Sequence, residues 1–557
     1  MKKSEVLRFI LKYMKPRRKL FMVAFMLLAI LSLVSLLPPY FTKLAFDEGI
    51  MKRNIILLTE YVLILAGLYI LKSFLNYLNT MFFTLANQNS LFDIKKDLTN
   101  RILKLPVEFF SSNESGYIVS RFKEIDALGP LFSLQTFRLI LSIFEFAGAM
   151  AIMFCMNVKL TLMLISIIPV FHLVTKIVGT TFTRLTRETM EKGAIFHGKF
   201  QQSIKGAEEI KRMSLEEKEA LNINKLNKEY VKSSIKFGIL SSFGTEVITL
   251  LSSLAGVLLL YVAGRAILKG DVSIGTYMAF SQYFGKLYAP VTLWSTSMLT
   301  FRPAFVALER IKDFFMKYPE EDEGTTRVKI QKIKEIEMRK VTFSYPDGKF
   351  PVLKNFNLHV KPGDKVLIKG PNGSGKSTVI KLLLGFYESY SGEILINGVE
   401  LKKISKKSLR NRISIVSQRV FLFNDTIENN IRVIGNIDEK TYQMALEKSG
   451  LKAFVEKLPL RDKTPVGENG VKLSGGQIQK LAIARAIAKS NSDVYIFDEA
   501  TAHLDEETKK LIKKFIKEEL NGRICIVITH TDEFDDICNK IVQLEKNTIT
   551  GTRQTTK

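Results

Sequence analysis

The chain has 557 residues, of which 46% are hydrophobic and 24% are charged, and its mean hydropathy is +0.10. This length excludes a single small module, and the apolar content excludes a disordered chain. The mixture indicates two unlike parts, one hydrophobic enough for a lipid environment and one water-soluble. A net charge of +26 fits nucleic acid or an anionic membrane face as a partner. The three cysteines are too few for a disulfide framework: Cys155, Cys525 and Cys538.

The first element in the chain is an uncharged apolar run of 23 residues over positions 20–42. At 1.5 Å per helical residue it can cross a hydrocarbon core of about 30 Å. Eight Lys and Arg residues precede it, so a secretory signal is the competing interpretation. A signal peptide has a shorter apolar core of about 7–15 residues and then a small-residue cleavage site, whereas this run ends in Pro38-Pro39-Tyr40. We therefore predict a retained spanning helix.

Five further spans are predicted, and six spans return the chain to its starting side. Spans two and three, and spans four and five, are joined by charged, helix-prone segments of about 50 residues. The basic N-terminus predicts that both termini and both long connections are cytoplasmic. Membrane topology then explains much of the positive charge without nucleic acid. The transmembrane domain is predicted over 1–305, with further spans near 55–83, 133–156, 160–180, 238–263 and 272–298.

Several ionisable residues interrupt these spans. A charge at the middle of a bilayer costs about 2.5–3.5 kcal/mol on insertion scales, so such a group faces a cavity or a polar partner. Glu145 and His172 lie deepest, and each either lines a cavity or hydrogen-bonds a neighbouring helix. Lys72 and Lys176 lie near the cytoplasmic boundary, where we expect their side chains to extend toward water.

The composition changes after the last span. A charged, amphipathic linker is predicted over 306–334. An α/β domain is predicted over 335–557, because short β-rich runs alternate there with helical patterns. The predicted fold class is therefore a multi-domain chain, with an all-α six-helix transmembrane domain followed by an α/β P-loop domain.

The α/β region contains a phosphate-binding motif. A predicted strand over 366–369 leads into the motif, and a helical run beginning at Thr378 follows it. G-x-x-x-x-G-K-S between a strand and a helix is a P-loop, whose backbone N–H groups surround phosphate oxygens. Lys376 is predicted to reach the β- and γ-phosphates, and Ser377 to offer its hydroxyl to Mg²⁺. A glycine-rich turn without a ligand is disfavoured, because spacing and flanks agree. The motif residues are Gly370-Pro371-Asn372-Gly373-Ser374-Gly375-Lys376-Ser377.

A second predicted strand, over 493–497, ends in two acids. A P-loop domain needs a carboxylate at a strand end to hold Mg²⁺, and Asp498 fits that position. Glu499 then orients or deprotonates the attacking water. The alternative interpretation is a solvated strand end, and the presence of the P-loop in the same domain disfavours it.

A third motif is Leu473-Ser474-Gly475-Gly476-Gln477, which opens a predicted helix with Ser474 as its N-cap. The start of this helix suits another phosphate contact, and a capped surface helix is the alternative. LSGGQ together with the P-loop resembles the signature of ATP-binding cassette (ABC) proteins. The resemblance covers essentially the whole chain: the first half is similar to the six-span exporter type, and the second half to its nucleotide-binding domain.

The resemblance implies roles for further residues. Tyr345 corresponds to the aromatic that stacks on adenine, and Gln418 to the glutamine that contacts Mg²⁺. His530 corresponds to the switch histidine at the γ-phosphate, and Asp505 lies in the D-loop. With Glu499, His530 completes the catalytic pair. His503 departs from the family pattern, which has a small residue there.

Other segments bear on direction and coupling. The segment 464–470 is similar to the one that precedes LSGGQ in exporters, which favours export over import. Residues 105–110, with Gly116, Ser120 and Arg121, resemble the first cytoplasmic coupling loop, and 206–211 resemble the second. The tail after Leu544 is a shortened version of the usual ending.

The function implied by the resemblance is ATP-driven export of an amphipathic cargo, which is a peptide, a lipid or a drug. ATP and Mg²⁺ are the implied cofactors. The implied partner is a second copy or a second half-transporter, with each ATP held between the P-loop of one chain and the LSGGQ of the other. The expected location is the plasma (inner) membrane, without a nucleic-acid partner. A membrane regulator that senses ATP without transporting is the alternative function.

Overall fold

The structure is a computed structural model that describes residues 3–113, 115–316, 318–321, 327–346, 348, 350–501, 504–545 and 548–554. It divides into two compact units. The first comprises Met1–Leu103 and Ser115–Lys317, and the second comprises Lys104–Glu114 and Tyr318–Lys557. Among the described residues, the first unit is helical and the second contains all the strands. The predicted fold class is confirmed.

Long helices build the first unit. Helices α3 and α7 have 48 residues each and α9 has 53, so each is about 70–80 Å long, more than twice the hydrocarbon core. Much of each predicted long connection is therefore a continuation of a spanning helix. The helices are α1 (Lys3–Met14), α2 (Arg18–Leu44), α3 (Ile55–Ile102), α5 (Ser115–Lys123), α6 (Leu134–Met156), α7 (Val158–Lys205), α8 (Ala207–Arg212), α9 (Glu216–Leu268) and α10 (Ile274–Phe315), with α4 (Val107–Ser112) in the second unit.

Within the described residues, four helical segments are long and apolar enough to cross a membrane: Glu5–Ile50, Ile55–Ile102, Arg121–Met156 and Glu216–Leu268. A shorter apolar stretch covers Val158–Val170. The six predicted spans fall, in chain order, on α2, α3, α6, α7, α9 and α10. Large apolar side chains such as Leu33, Leu63 and Ile70 are about two-thirds exposed, as lipid-facing surfaces require.

The boundary between the units differs from the predicted one. Helix α10 runs to Phe315, so the segment predicted as a linker over 306–334 begins inside a helix. Apolar residues at Ala307, Leu308 and Ile311 are buried, which explains why the helix continues. Charged positions between them produced the amphipathic pattern that was interpreted as a linker.

The segment that resembles the first coupling loop is folded into the second unit. Phe109 on α4 is fully buried, and its ring centroid lies 5.2 Å from that of Tyr318. The hydroxyl oxygens of Ser111 and Tyr387 are 3.4 Å apart. This short helix is therefore attached to the α/β unit by an aromatic contact and a polar contact, although in the chain it lies between α3 and α5 of the first unit.

The second unit contains two sheets. One is antiparallel in the order β2-β1-β4-β5, and the other has the order β10-β9-β3-β8-β7-β6 with its five strands from β9 to β6 parallel. The strands are β1 (Ile336–Phe343), β2 (Leu353–Val360), β3 (Lys365–Lys369), β4 (Tyr390–Ile396), β5 (Val399–Glu400), β6 (Ile413–Val416), β7 (Val494–Asp498), β8 (Ile524–Ile528), β9 (Lys540–Glu545) and β10 (Thr548–Gln554). The helices are α11 (Lys376–Leu383), α12 (Lys406–Asn411), α13 (Ile427–Arg432), α14 (Glu439–Lys448), α15 (Lys452–Lys457), α16 (Gly475–Ala488) and α17 (Glu506–Lys514).

The parallel sheet separates two hydrophobic cores. Val366 and Ile368 of β3 face one core, and Leu367 between them faces the other. The same alternation holds along β7, where Val494 and Tyr495 face opposite sides. Because both faces are covered, these strands are continuous apolar runs rather than alternating ones. The central strands are therefore firmly positioned, and so are the loops that leave their ends.

Candidate active site

Four sequence-distant loops meet at the carboxyl edge of the parallel sheet. In the strand register, Ile528 of β8 lies beside both Ile368 of β3 and Asp498 of β7, and Val416 of β6 lies beside Phe497 of β7. Neighbouring parallel strands end at the same edge of a sheet. The P-loop, His530, Glu499 and Gln418 each begin within one or two residues of these positions. The edge therefore assembles residues that lie far apart in the chain.

The P-loop joins β3 to α11. Gly375 has φ +96° and precedes the first turn of α11, and a Cβ there would lie 2.9 Å from Leu353 Cδ2. A Cβ at Gly370 would collide with the carbonyl oxygen of Leu544. Only glycine fits these two positions, because a side chain would be strained at one and would collide with backbone at the other. Among the described residues, the helix start carries no side-chain cap.

Buried polar groups lie beneath this loop. Lys376 is 6% exposed, and its ammonium donates to the carbonyl oxygens of Gly370 and Pro371 at 2.7 and 3.0 Å. The hydroxyl of Ser374 is buried without a hydrogen-bond partner among the described residues. Pro371, Asn372 and Gly373 at the loop tip are exposed. An anion at the tip would meet the α11 helix start and a lysine already held close to it.

Ser377 and Asp498, the residues predicted to hold Mg²⁺, lie next to each other. The Ser377 hydroxyl donates to Asp498 Oδ2 at 3.1 Å, and Asp498 is 7% exposed. Burial raises the pKa of Asp498, and so does the neighbouring Glu499 carboxylate, while the Ser377 hydroxyl partly opposes the shift. A hydroxyl and a buried carboxylate are hard oxygen donors of the kind that Mg²⁺ prefers.

Glu499 and its neighbours form a second polar group. Gln418 Nε2 donates to Glu499 Oε2 at 2.6 Å, and His530 Nδ1 lies 3.9 Å from Glu499 Oε1. Glu499 has φ +49°, a left-handed conformation that costs a non-glycine residue about 1–2 kcal/mol. Its amide donates to the carbonyl of Ile528 at 2.9 Å, which fixes this conformation and the direction of the side chain. Gln418 therefore contacts Glu499 directly, whereas Asp498 pairs with Ser377.

The predicted adenine-stacking residue lies beside the P-loop helix. Tyr345 is half-buried, and its hydroxyl oxygen lies 3.0 Å from Thr378 Oγ1. The ammonium of Lys381 lies 5.3 Å from the centroid of the Tyr345 ring. Tyr345 and Thr378, both predicted to contact the nucleotide, therefore lie side by side.

The LSGGQ motif begins helix α16, which contacts this edge through Gln479, whose Nε2 lies 3.5 Å from the carbonyl oxygen of Glu499. Ser474 and Gln477 form a capping box at the start of α16, and Ser474 and Gly475 are exposed. Among the described residues, no hydrogen bond or ion pair joins Ser474, Gly475, Gly476 or Gln477 to the P-loop. One chain thus carries two separate helix starts, both suited to anions.

Asp505 serves as a structural link behind the LSGGQ motif. It caps α17 by accepting from the Thr508 amide at 2.8 Å, and it pairs with Lys480 of α16 at 2.8 Å. These two partners hold the pKa of Asp505 well below its ordinary value. Asp505 therefore connects the start of α17 to the LSGGQ helix α16. His503 lies outside the described residues.

We expect Asp505→Ala to lower the thermal midpoint of the full chain, because losing an N-cap costs about 0.5–2 kcal/mol. Asp505→Asn keeps a cap acceptor and loses only the exposed ion pair, which is worth about 1 kcal/mol or less. Differential scanning of the two variants beside wild type measures the effect. Equal midpoints for the two variants would contradict the capping role.

The sequence did not predict the ion pairs between Lys369 and two carboxylates, which stabilise the site. Lys369, the last residue of β3, contacts Asp532 and Asp535 at 2.6 Å, two and five residues after His530. Although burial alone would lower it, the pKa of Lys369 is raised by hydrogen bonds with these carboxylates. The only signal was a lysine directly after the apolar residues 366–368 of β3, and its partners could not be predicted from the sequence.

Two ionisable residues of the predicted spans are placed by the structure. Glu145 lines a cavity in the membrane unit, which was one of the two alternatives left open for it. Lys72, expected to extend toward water at the cytoplasmic boundary, lines the same cavity. The side chains of His172 and Lys176 lie outside the described residues.

The fold and the site define a membrane-embedded helical unit fused to a P-loop nucleotide-binding unit. The family model of the ABC transporter transmembrane region matches residues 21–291, and the ABC transporter model matches residues 353–502. An ATP-dependent lipid A-core flippase of Photobacterium profundum is 30% identical over 471 residues, which cover 84% of this chain and 80% of that protein. A putative multidrug export ATP-binding/permease protein of Bacillus subtilis is 28% identical, over 98% of this chain and 95% of that protein.

A solved structure shares the fold. The structure of a bacterial Atm1-family ABC exporter with ATP bound matches with a TM-score of 0.84 at 22% identity, covering 96% of this chain and 95% of that one. The chain belongs to the ABC transporter family, as its motifs indicated. It is an ATP-driven membrane exporter in which ATP hydrolysis is coupled to transport, and its half-transporter layout is consistent with a dimer.

Proposed function

We propose that two half-transporters bind ATP between them, each nucleotide lying between the P-loop of one chain and the Ser474–Gln477 helix start of the other. The observation that carries this proposal concerns the two helix starts of one chain, at the P-loop and at LSGGQ. Among the described residues, no hydrogen bond or ion pair joins them. A triphosphate that contacts both must join two chains. With two such sites in a dimer, ATP favours the closed pairing, and loss of its γ-phosphate removes the link.

The residues present fit a nucleotide triphosphate. Gly370 and Gly375 leave room at the P-loop where a Cβ would collide, and Ser374 offers a buried hydroxyl without a partner among the described residues. Lys376 supplies the buried positive charge for the phosphates. Tyr345, close to Thr378, offers a ring face on which adenine stacks, worth about 1–3 kcal/mol.

The residues also fit Mg²⁺. Ser377, Asp498 and Gln418 would hold the ion beside the phosphates. Within the described part of the chain, no group of three or more His, Cys, Asp or Glu side chains is arranged to hold a metal ion by itself. A nucleotide-bound Mg²⁺ takes one or two protein carboxylates, here Asp498, and completes its shell with other oxygen ligands, phosphate and water. When bound, the ion neutralises charge on the phosphate oxygens.

Glu499 is the proposed general base. Gln418 and the left-handed backbone orient its carboxylate, and His530 lies close enough to share a water or a phosphate oxygen with it. Lys369 acts as a positioning residue, because it anchors the segment after His530 to the end of β3. The water oxygen bonds to the γ-phosphorus as Glu499 accepts a proton from that water, and the bond from the γ-phosphorus to the β,γ-bridging oxygen breaks to release ADP and phosphate.

Asp498→Asn should separate stability from activity. Because burial raises the pKa of Asp498, the folded protein binds this proton more tightly than the unfolded chain does. Stability therefore falls as the pH rises through the folded-state pKa, and a neutral asparagine should give a higher thermal midpoint than wild type at neutral pH without nucleotide. Magnesium-dependent ATPase activity should fall by about 100-fold or more, as for loss of one electrostatic group.

Acid provides the internal control for this variant. As the pH falls toward the ordinary carboxyl range, Asp498 itself becomes protonated, so the two thermal midpoints should converge. A lower midpoint for Asp498→Asn at neutral pH would contradict the assignment of a strained buried charge. Magnesium titration of ATPase activity measures the functional part.

Coupling follows from α4. Because its Phe109 anchor belongs to the nucleotide-binding unit, a movement of that unit carries the coupling segment with it. ATP must bind the closed dimer more tightly than the open one for this movement to be driven. The spanning helices would then alternate between inward-open and outward-open states and move an amphipathic cargo outward. Both termini are proposed to be cytoplasmic, and the plasma (inner) membrane is the proposed location.

Reconstitution of the chain expressed alone tests the proposal. The native mass of the detergent-purified protein distinguishes a homodimer from a chain that requires a second half-transporter. In proteoliposomes we expect ATP hydrolysis that is stimulated by the transported cargo, together with ATP-dependent movement of that cargo. Vesicles that hydrolyse ATP while moving none of a peptide, lipid and drug panel would favour the ATP-sensing regulator.

A further inference from the structure

A cavity of about 600 Å³ lies in the membrane unit, between α2, α3, α6 and α10. Its volume lies within the range of small-molecule sites. Each of the four helices contributes both apolar and polar lining, which suits a ligand that is itself amphipathic. Leu28, Leu31 and Leu141 are among the apolar residues that line it.

The cavity is strongly positive. Lys72, Arg138 and Lys286 line it against a single carboxylate, Glu145, so its formal charge is 3 − 1 = +2. Each charge comes from a predicted span, and charges within a bilayer are retained when they face a cavity or a partner. The three cations come from three different helices, so their convergence is a property of the tertiary structure.

Most of these charges are uncompensated. Among the residues that the structure describes, Lys72, Glu145 and Lys286 form no hydrogen bond or ion pair, although Lys286 lies within Coulombic range of both others. Among these same residues, Arg138 hydrogen-bonds only with a neutral group, since it donates to Asn76 Oδ1 at 2.9 Å. The hydroxyl of Ser32, a residue 6% exposed on the cavity wall, has no partner among the described residues. The wall therefore offers several donors to one anion.

We infer that this cavity binds the phosphate headgroup of an anionic, lipid-like amphiphile, and that this amphiphile is the cargo class of the proposed exporter. A phosphate monoester carries a charge of about −1.5 to −2 at neutral pH, which matches the +2 of the wall better than a carboxylate does. Its oxygens accept from ammonium, guanidinium and hydroxyl groups. Glu145 limits the positive charge and so disfavours more highly charged anions. The assignment as cargo depends on the proposed function, whereas the binding itself does not.

Equilibrium binding to the full chain in zwitterionic nanodiscs, without nucleotide, tests this inference. The probes are radiolabelled hexadecyl phosphate, hexadecylphosphocholine and hexadecyltrimethylammonium, which share one chain, and inorganic phosphate as a competitor. We expect hexadecyl phosphate to bind at least about tenfold more tightly than the other two, the effect of one or more charge-assisted hydrogen bonds. Equal affinities, a preference for the cation, or competition by inorganic phosphate at the concentration of the amphiphile would overturn it.

Removing a cation and removing the carboxylate should change the affinity for hexadecyl phosphate in opposite directions. Lys286→Gln and Lys72→Gln should each weaken hexadecyl phosphate binding by about tenfold, whereas Glu145→Gln should tighten it. Lys286→Arg should retain binding, which separates loss of charge from misfolding. Lys269→Gln, at the exposed end of α9, is the matched control and should bind as wild type does. Weaker binding in Glu145→Gln would contradict an anion site.

ATPase activity of the wild-type chain in the same nanodiscs distinguishes failure of this inference from failure of the proposed function. Hydrolysis without phosphate selectivity would overturn this inference and leave the proposed function standing. Phosphate selectivity in a chain that neither binds nor hydrolyses ATP would overturn the proposed function while retaining the site.

Discussion

Replacing Glu499 with glutamine should leave ATP bound and nearly stop its turnover. The amide preserves the size of the side chain and can still accept from Gln418 Nε2, but it cannot take a proton from water. General-base groups contribute about 10²–10⁴-fold, so the ATPase rate should fall by at least about 100-fold. Nucleotide affinity should stay within about threefold of wild type, because the P-loop contacts are unchanged. ATPase assays and equilibrium binding of labelled ATP measure the two quantities.

The same variant should also accumulate as an ATP-bound dimer, because the γ-phosphate that joins the two chains is retained. Cross-linking or native mass measurement with ATP and magnesium would detect it. Glu456→Gln is the matched control, since Glu456 is exposed on α15 of the same unit. A wild-type ATPase rate in Glu499→Gln would refute the role of Glu499 as base.

Replacing Lys376 with methionine should abolish nucleotide binding itself. The lysine is only 6% exposed, and the carbonyls of Gly370 and Pro371 hold its ammonium beneath the P-loop, so no mobile surface cation can substitute for it. Hydrogen bonds between charged groups contribute about 1.5–3 kcal/mol each, so ATP affinity should fall by about 100-fold or more. Binding of labelled ATP, measured over a concentration series, tests this directly.

The roles of Lys376 and Glu499 differ in which activity, ATP binding or ATP hydrolysis, is lost when each is replaced. Lys376→Met should lose binding and hydrolysis together, whereas Glu499→Gln should lose hydrolysis alone. Lys452→Met, exposed on α15, is the control for removal of a lysine from this unit. The thermal midpoint of Lys376→Met without nucleotide should remain near that of wild type, since methionine replaces a buried aliphatic stem. Normal ATP affinity in this variant would contradict the phosphate role of the lysine.

The sequence predicted the motifs that consist of contiguous residues. The P-loop from Gly370 to Ser377 is recognisable because its glycines, lysine and serine occupy one turn between a strand and a helix. The capping box of Ser474 and Gln477 is local in the same sense. The apolar runs were equally readable, since lipid demands long uncharged helices. The predicted linker over 306–334 misplaced the end of α10, because burial of one face of that helix depends on partners distant in the chain.

By itself the sequence determined that this chain has apolar spanning helices, a P-loop and an LSGGQ helix start, because each of these is a local pattern with one physical meaning. The strand order β3-β8-β7-β6 was decided only in three dimensions, and it brings Gln418, Glu499 and His530 to one edge. The tertiary structure also decided that Lys72 and Lys286 face one cavity. Such contacts depend on how distant segments pack, and residue spacing along the chain carries no record of that packing.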